Sequence, residues 1–151
     1  MNNKNIFVRM ATLGPIGYLP APGTMATIAT LPLVYFLFWL NMSHQFHILL
    51  VVLITMTSFK IVGRALDQFK VRDPSEIVLD ELVGCLVTFC CIPISFFSLA
   101  LGFVAFRLFD IFKPLGLSKT ELLYGSLGVV IDDVLAGLFA HVVVRAVLYY
   151  W

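Results

Sequence analysis

The chain has 151 residues, of which 60% are hydrophobic and only 13% charged, enough for one domain. Soluble domains carry about a quarter charged residues, so a mean hydropathy of +0.98 excludes that class and predicts an all-α, polytopic membrane bundle. The net charge of +1 gives no electrostatic case for nucleic acid.

The N-terminal stretch MNNKNIFVRMATLGPIGYLPAPGT is polar, then rich in Gly and Pro. It lacks the basic, apolar, small-residue order of a cleavable signal peptide. Two apolar runs follow, Ile28 to Leu40 and Phe46 to Met56, separated by NMSHQ. Extended into their flanks, both approach the roughly 20 residues needed to span, and they predict a transmembrane hairpin. Lys4, Arg9, Lys60, Arg64, Lys70 and Arg72 flank it, while the NMSHQ break has no Lys or Arg. The positive-inside bias therefore puts the hairpin's two ends in the cytoplasm.

The segment VRDPSEIVLDELVG (71–84) predicts a short amphipathic helix. Asp73 fits its N-cap, Pro74 its first position and Glu76 its third. Leu82 to Phe106 is charge-free, with Pro93 near its middle. It either crosses once with a kink or folds back as two half-depth helices of about 18 Å each. A basic segment, Arg107 to Lys119, leads to a last apolar helix from about Gly128 to the end. Tyr149, Tyr150 and Trp151 would form an aromatic belt at its far interface.

Asp132 and Asp133 are adjacent within the apolar run GSLGVVIDDVLAGLFAHVVV. A carboxylate at a bilayer centre costs roughly 2.5–3.5 kcal/mol, and such residues mark functional sites. A structural reading would need paired basic residues, and Arg145 is three turns away. Asp80 and Glu81, adjacent at the threshold of another apolar segment, read as functional in preference to a solvated face. Asp73 and Glu76 share a helical face with Asp80 by spacing, but capping explains those two better. Converging carboxylates are the usual means of holding Mg²⁺, which prefers oxygen ligands.

In FRLFDIFKP, Arg107, Asp110 and Lys113 recur at intervals of three and share one helical face. They are either an intrahelical Arg107–Asp110 ion pair or, favoured here, an anion site with Arg107 contacting phosphate bidentately. GPIGYLPAPGT, ending in Gly23 and Thr24, can offer backbone N–H groups to a phosphate, though Gly and Pro also simply make turns. His44, His47 and His141 read as packing or interfacial residues. Cys85, Cys90 and Cys91 read as small buried hydrophobes. Ala136, Gly137 and Ala140 would allow close helix packing beside the aspartates. No cysteine-phosphatase, aspartyl-phosphate or vanadium-peroxidase arrangement is present to supply a protein nucleophile.

The blocks GPIGYLPAPGT (14–24), DPSEIVLDELVG (73–84), FRLFDIFKP (106–114) and GSLGVVIDDVLAGL (125–138), in this order, resemble the phosphatidylglycerophosphatase A family. Ala26 and Thr27 stand where that family has Gly-Ser, and Gly116 where it usually has Pro; every acidic motif position matches. The resemblance implies a Mg²⁺-dependent integral membrane phosphatase of the bacterial inner membrane. Its substrate would be the lipid phosphatidylglycerophosphate, and its product phosphatidylglycerol.

Together these readings give an expected mechanism: hydrolysis by water activated at a divalent cation. Asp80, Glu81, Asp132 and Asp133 form the ligand set, Asp110 assists, and one of these carboxylates serves as general base. Arg107, Lys113, Gly23 and Thr24 hold the phosphate. Asp80/Glu81 and Arg107/Asp110 bracket residues 82–106, so they can share a site only if that segment dips in and returns. A re-entrant hairpin opening to the cytoplasm is therefore expected. The rival readings are a phosphatase for another lipid phosphate, such as an isoprenoid phosphate, and a small ion-coupled transporter.

Overall fold

A computed structural model of the chain describes residues 3–69, 71, 74–112 and 125–150, and every regular element among them is helical. In chain order these are α1 (Asn3–Ala11), a 3-10 turn (Ile16–Tyr18), α2 (Pro22–Trp39), α3 (His44–Leu66), α4 (Leu79–Thr88), α5 (Phe96–Phe112) and α6 (Ser126–Tyr150). Three of them, α2, α3 and α6, are long and apolar enough to cross a membrane. The first two follow each other across a short turn, as expected, but pack on other helices, α2 on α4 and α3 on α1, α4 and α6. Ser43 caps α3 by accepting from the Phe46 N–H at 3.4 Å. Hydroxyls inside these apolar helices are satisfied locally. Thr27, Thr30 and Thr55 each donate 2.8 Å to the carbonyl four residues earlier, so these hydroxyls are not stranded in an apolar surrounding. Their outer faces carry large apolar side chains such as Phe36, Trp39, Leu53 and Met56, all more than half exposed. That is the surface a lipid-solvated helix needs.

The short helix α4 lies at the centre, packed by α2, α3, α5 and α6. Its 10 residues span about 15 Å, too little to cross. Val83, Leu86 and Phe89 join Phe106 of α5 and Ala136 and Ala140 of α6 in the main core. Backbone contact makes this packing possible. A Cβ on Gly137 would run into the carbonyl of Gly84, and one on Gly84 would overlap the Phe106 ring and the Asp133 carbonyl. The small-residue stripe of α6 thus seats α4 directly beside the aspartates, as the sequence suggests.

Residues 82–106 fold back. The chain leaves α4 at Thr88, turns through 89–95 with Cys91 at φ 56, and returns as α5. Ser95 and Ser98 cap the return reciprocally: Ser98 Oγ accepts from the Ser95 N–H at 2.8 Å, and Ser95 Oγ from the Ser98 N–H at 3.1 Å. This is a serine form of the capping box. At the tip, α6 closes the carbonyls that α4 leaves open. His141 Nδ1 meets the Thr88 carbonyl at 3.1 Å, and Arg145 Nη2 donates to the Cys91 carbonyl at 3.2 Å. Arg145 Nε also donates to His141 Nε2, which makes Nδ1 the protonated ring nitrogen.

Two local expectations are corrected. The helix predicted from Asp73 and Pro74 begins only at Leu79, with Val78 as N-cap and no side-chain cap. Ile77 N–H closes a turn on Pro74, and Val78 N–H goes to the Ala11 carbonyl at the end of α1. Those amides, with Ile77 and Val78 buried against α1 and α3, serve tertiary contacts instead of a helical turn, so Glu76 shares no helical face with Asp80. Asp73 lies outside the described residues. The last helix begins at Ser126, two residues before the expected start near Gly128, so Asp133 sits about 10 Å along it, two turns in. The belt residues Tyr149 and Tyr150 are exposed at its far end; Trp151 is outside the described residues.

Candidate active site

Four separate stretches of chain bring polar groups to one cleft of about 640 Å³. Asp80 and Glu81 come from the first turn of α4 and Asp132 and Asp133 from α6; Arg107 and Asp110 come from the last turns of α5, and Gly23 and Thr24 from the start of α2. Asp80, Glu81 and Asp133 each place one carboxylate oxygen within 4.8 Å of the others. The first two are carried at a helix N-terminus, where the backbone dipole favours negative charge. Asp132 is buried and lines the cleft without joining that trio. Asp110 lines the same cleft and pairs with Arg107.

Like-charged groups at such range need a proton or a cation between them. Asp80 Oδ1, Glu81 Oε2 and Asp133 Oδ2 are buried and have no hydrogen-bond partner. Buried polar atoms are nearly always paired, so three orphaned carboxylate oxygens in one place point to a missing hard ligand. Burial, then repulsion from Glu81 and Asp133, pushes the Asp80 carboxyl well above its ordinary range. Burial raises that of Glu81 to about 7. Three oxygen donors with no His or Cys among them fit a divalent cation of the Mg²⁺ or Ca²⁺ type.

Arg107 makes the ion pair that sequence reasoning ranked second: Nη1 lies 2.6 Å from Asp110 Oδ2. The pair does not exhaust the guanidinium, because Nε is buried without a partner and the side chain lines the cleft. Asp110 therefore orients Arg107 while leaving it a donor. The Gly/Pro segment reaches the cleft only through Ala21 to Thr24. Ala21 holds a left-handed φ of 53 as N-cap of α2 and makes no side-chain cap, which leaves the helix's first N–H groups open towards the cleft. Gly23 leaves room for the site side chains, since a Cβ there would overlap Glu81 Oε1 and crowd Arg107 Nη1, so both would have to shift. Gly17, further back, packs instead against the Glu76 carbonyl. Lys113 lies outside the described residues. Sequence reasoning missed Gly84; its signal was a glycine three residues after Glu81, on the face that meets α6.

Fold and cleft together define a class: an all-helical membrane protein with a buried carboxylate trio and an oriented arginine at one end of its bundle. The sequence profile of the phosphatidylglycerophosphatase A family matches residues 9–148. A phosphatidylglycerophosphatase A of Haemophilus influenzae is 30% identical over 99% of both chains. One of Escherichia coli is 29% identical over 86% of this chain and 76% of its own. A Bacteroides thetaiotaomicron protein provisionally named phosphatidylinositol-3-phosphatase is 40% identical over 76 residues, 48% of each chain, so the aligned part spans about half its length. No solved structure matches. The chain belongs to the phosphatidylglycerophosphatase A family, a family of phosphatases.

Proposed function

We propose that the protein hydrolyses phosphatidylglycerophosphate to phosphatidylglycerol and inorganic phosphate, with Mg²⁺ held by Asp80, Glu81 and Asp133. The observation that carries this is the trio of converging carboxylates, each with one buried unpartnered oxygen, in a cleft also lined by Arg107, whose Nε has no partner. Bound there, the cation supplies Lewis-acid polarisation and makes water a better nucleophile at neutral pH. Arg107 donates to the phosphate oxygens and offsets charge that grows in the transition state. Gly23 and Thr24 add backbone N–H groups from the open end of α2, and Lys113 adds a second positive charge. Asp110 holds the guanidinium, and Asp132 extends the carboxylate wall.

Water attacks phosphorus and the bond from phosphorus to the glycerol oxygen breaks. One carboxylate of the group takes the proton from water and returns it to the departing glycerol oxygen. The cleft opens to the cytoplasmic face of a bacterial inner membrane, as the Lys and Arg distribution favours, and α4 with the first part of α5 forms a re-entrant hairpin. A transporter would need a polar path across the bundle; beyond the cleft, α6 offers only His141 and Arg145, both occupied with the tip of α4.

The test is phosphate release by purified protein from phosphatidylglycerophosphate, phosphatidylinositol 3-phosphate and an isoprenoid phosphate, each with and without Mg²⁺. Release from the first alone, and only with the cation, is expected. Faster release from another lipid would reassign the substrate, and cation-independent release would remove the metal from the chemistry.

A further inference from the structure

All nine acidic residues lie at or after Asp67, and none occurs in 82–109 or 134–151. The end of the bundle where the α2–α3 turn, the tip of α4 and the last turns of α6 meet therefore has no acidic side chain, but it does have Arg145. The guanidinium is exposed. It spends Nε on His141 and Nη2 on the Cys91 carbonyl, both neutral partners, so its charge is uncompensated among the described residues.

Directly beside it, between α3 and α6, runs a groove of about 390 Å³ with Arg145 at one end and Val134 at the other. The two stand eleven positions apart on α6, about 16 Å of helix. The walls are apolar, Val52 and Met56 on α3 and Leu138 on α6, over a floor of Val87. The volume is that of a small-molecule site. A long apolar slot with a single unneutralised cation at its interfacial end matches one chemistry, an acyl chain below a phosphate.

We infer that this groove binds one anionic phospholipid from the leaflet opposite the carboxylate cleft, with its phosphate on Arg145 and an acyl chain between α3 and α6. Arginine suits this role because it stays charged and can offer phosphate a planar pair of donors. The site is separate from the cleft and stands whether or not the proposed reaction is correct.

The test uses full-length protein in phosphatidylcholine vesicles doped with either phosphatidylglycerol or phosphatidylcholine bearing a photoreactive diazirine in one acyl chain. Crosslinked peptides are then mapped. Peptides covering 48–56 and 134–145 should be labelled about fivefold more by the anionic probe, the preference one interfacial arginine confers. The outer face of α2, around Phe36, should show no such preference. Arg145→Gln should erase the preference. Val52→Trp, which fills the groove from the α3 side, should remove the labelling itself. Equal labelling by both probes, a preference that survives Arg145→Gln, or undiminished labelling of Val52→Trp would each overturn the proposal. So would chain-to-chain crosslinks at these peptides, which would make the occupant a second copy.

Discussion

The two ends of α4 are held by the same neighbour and treated in opposite ways. At its end, two carbonyls meet donors from α6: His141 closes Thr88, and Arg145 closes Cys91 in the turn just beyond. At its start, about 15 Å away, Asp80, Glu81 and Asp133 keep buried oxygens with no partner at all. Burial alone does not distinguish these places, since both lie against α6. What differs is that the carbonyls named at one end have partners, while the carboxylates at the other keep oxygens without one. A protein retains a half-satisfied polar cluster where a ligand finishes it, and the seam between Gly84 and Gly137 fixes the geometry of both ends at once.

This contrast predicts that changes at the start of α4 cost activity and changes at its end cost stability. The largest effect is expected for Asp80→Asn, Glu81→Gln or Asp133→Asn, each lowering kcat on the order of 10²–10⁴-fold. Thermal unfolding should show these variants folded and, without Mg²⁺, no less stable than the parent, because each removes a repelling buried charge. A drop in cation-free stability would mean that the trio is structural. Next, Gly137→Ala pushes α6 off the Gly84 carbonyl and should cost about 1–3 kcal/mol by overpacking. Because the shift separates Asp133 from Asp80, activity should fall with it; full activity would show that the seam does not set the trio's spacing.

Arg107→Lys keeps a charge but loses the forked donors and Nε. A charge-assisted hydrogen bond is worth about 1.5–3 kcal/mol, so kcat/KM should fall roughly 10- to 100-fold, and an unchanged value would limit Arg107 to pairing with Asp110. The smallest effect on turnover belongs to the other end. His141→Ala strands the Thr88 carbonyl and should destabilise by about 1–3 kcal/mol, read as a lower unfolding temperature with turnover near the parent's. If it instead abolished turnover without unfolding the chain, the division between the ends of α4 would fail.

Much of this arrangement was legible in the sequence because the relevant forces act locally. Apolar runs gave α2, α3 and α6, and adjacent acids in or at the edge of apolar stretches marked both halves of the trio. The fold-back of 82–106 followed from requiring Glu81 and Arg107 to share one place, which they do. What stayed hidden depends on partners far along the chain. Asp73, Pro74 and Glu76 carry a good local helix-start signal, yet the Val78 amide bonds to Ala11 and the helix waits until Leu79. The spacing of Arg107, Asp110 and Lys113 fits both an ion pair and an anion site; only the cleft shows Arg107 paired through one nitrogen and open at another. Nothing local to Gly84 announces that it touches Gly137, 53 positions later. Nor does the Asp132–Asp133 pair reveal that Asp133 alone joins the tight trio.

The central claim is that carboxylates from α4 and α6 complete one divalent-cation site. Mn²⁺ reports on it directly, because its free ion has a sharp paramagnetic resonance that vanishes on binding. Titrated into purified parent protein, Mn²⁺ should be captured in competition with Mg²⁺. The capture should be lost in Asp80→Asn, Glu81→Gln and Asp133→Asn alike. Undiminished capture by Asp133→Asn would contradict the account, since the ion would then be held without the one ligand that α6 contributes to the trio.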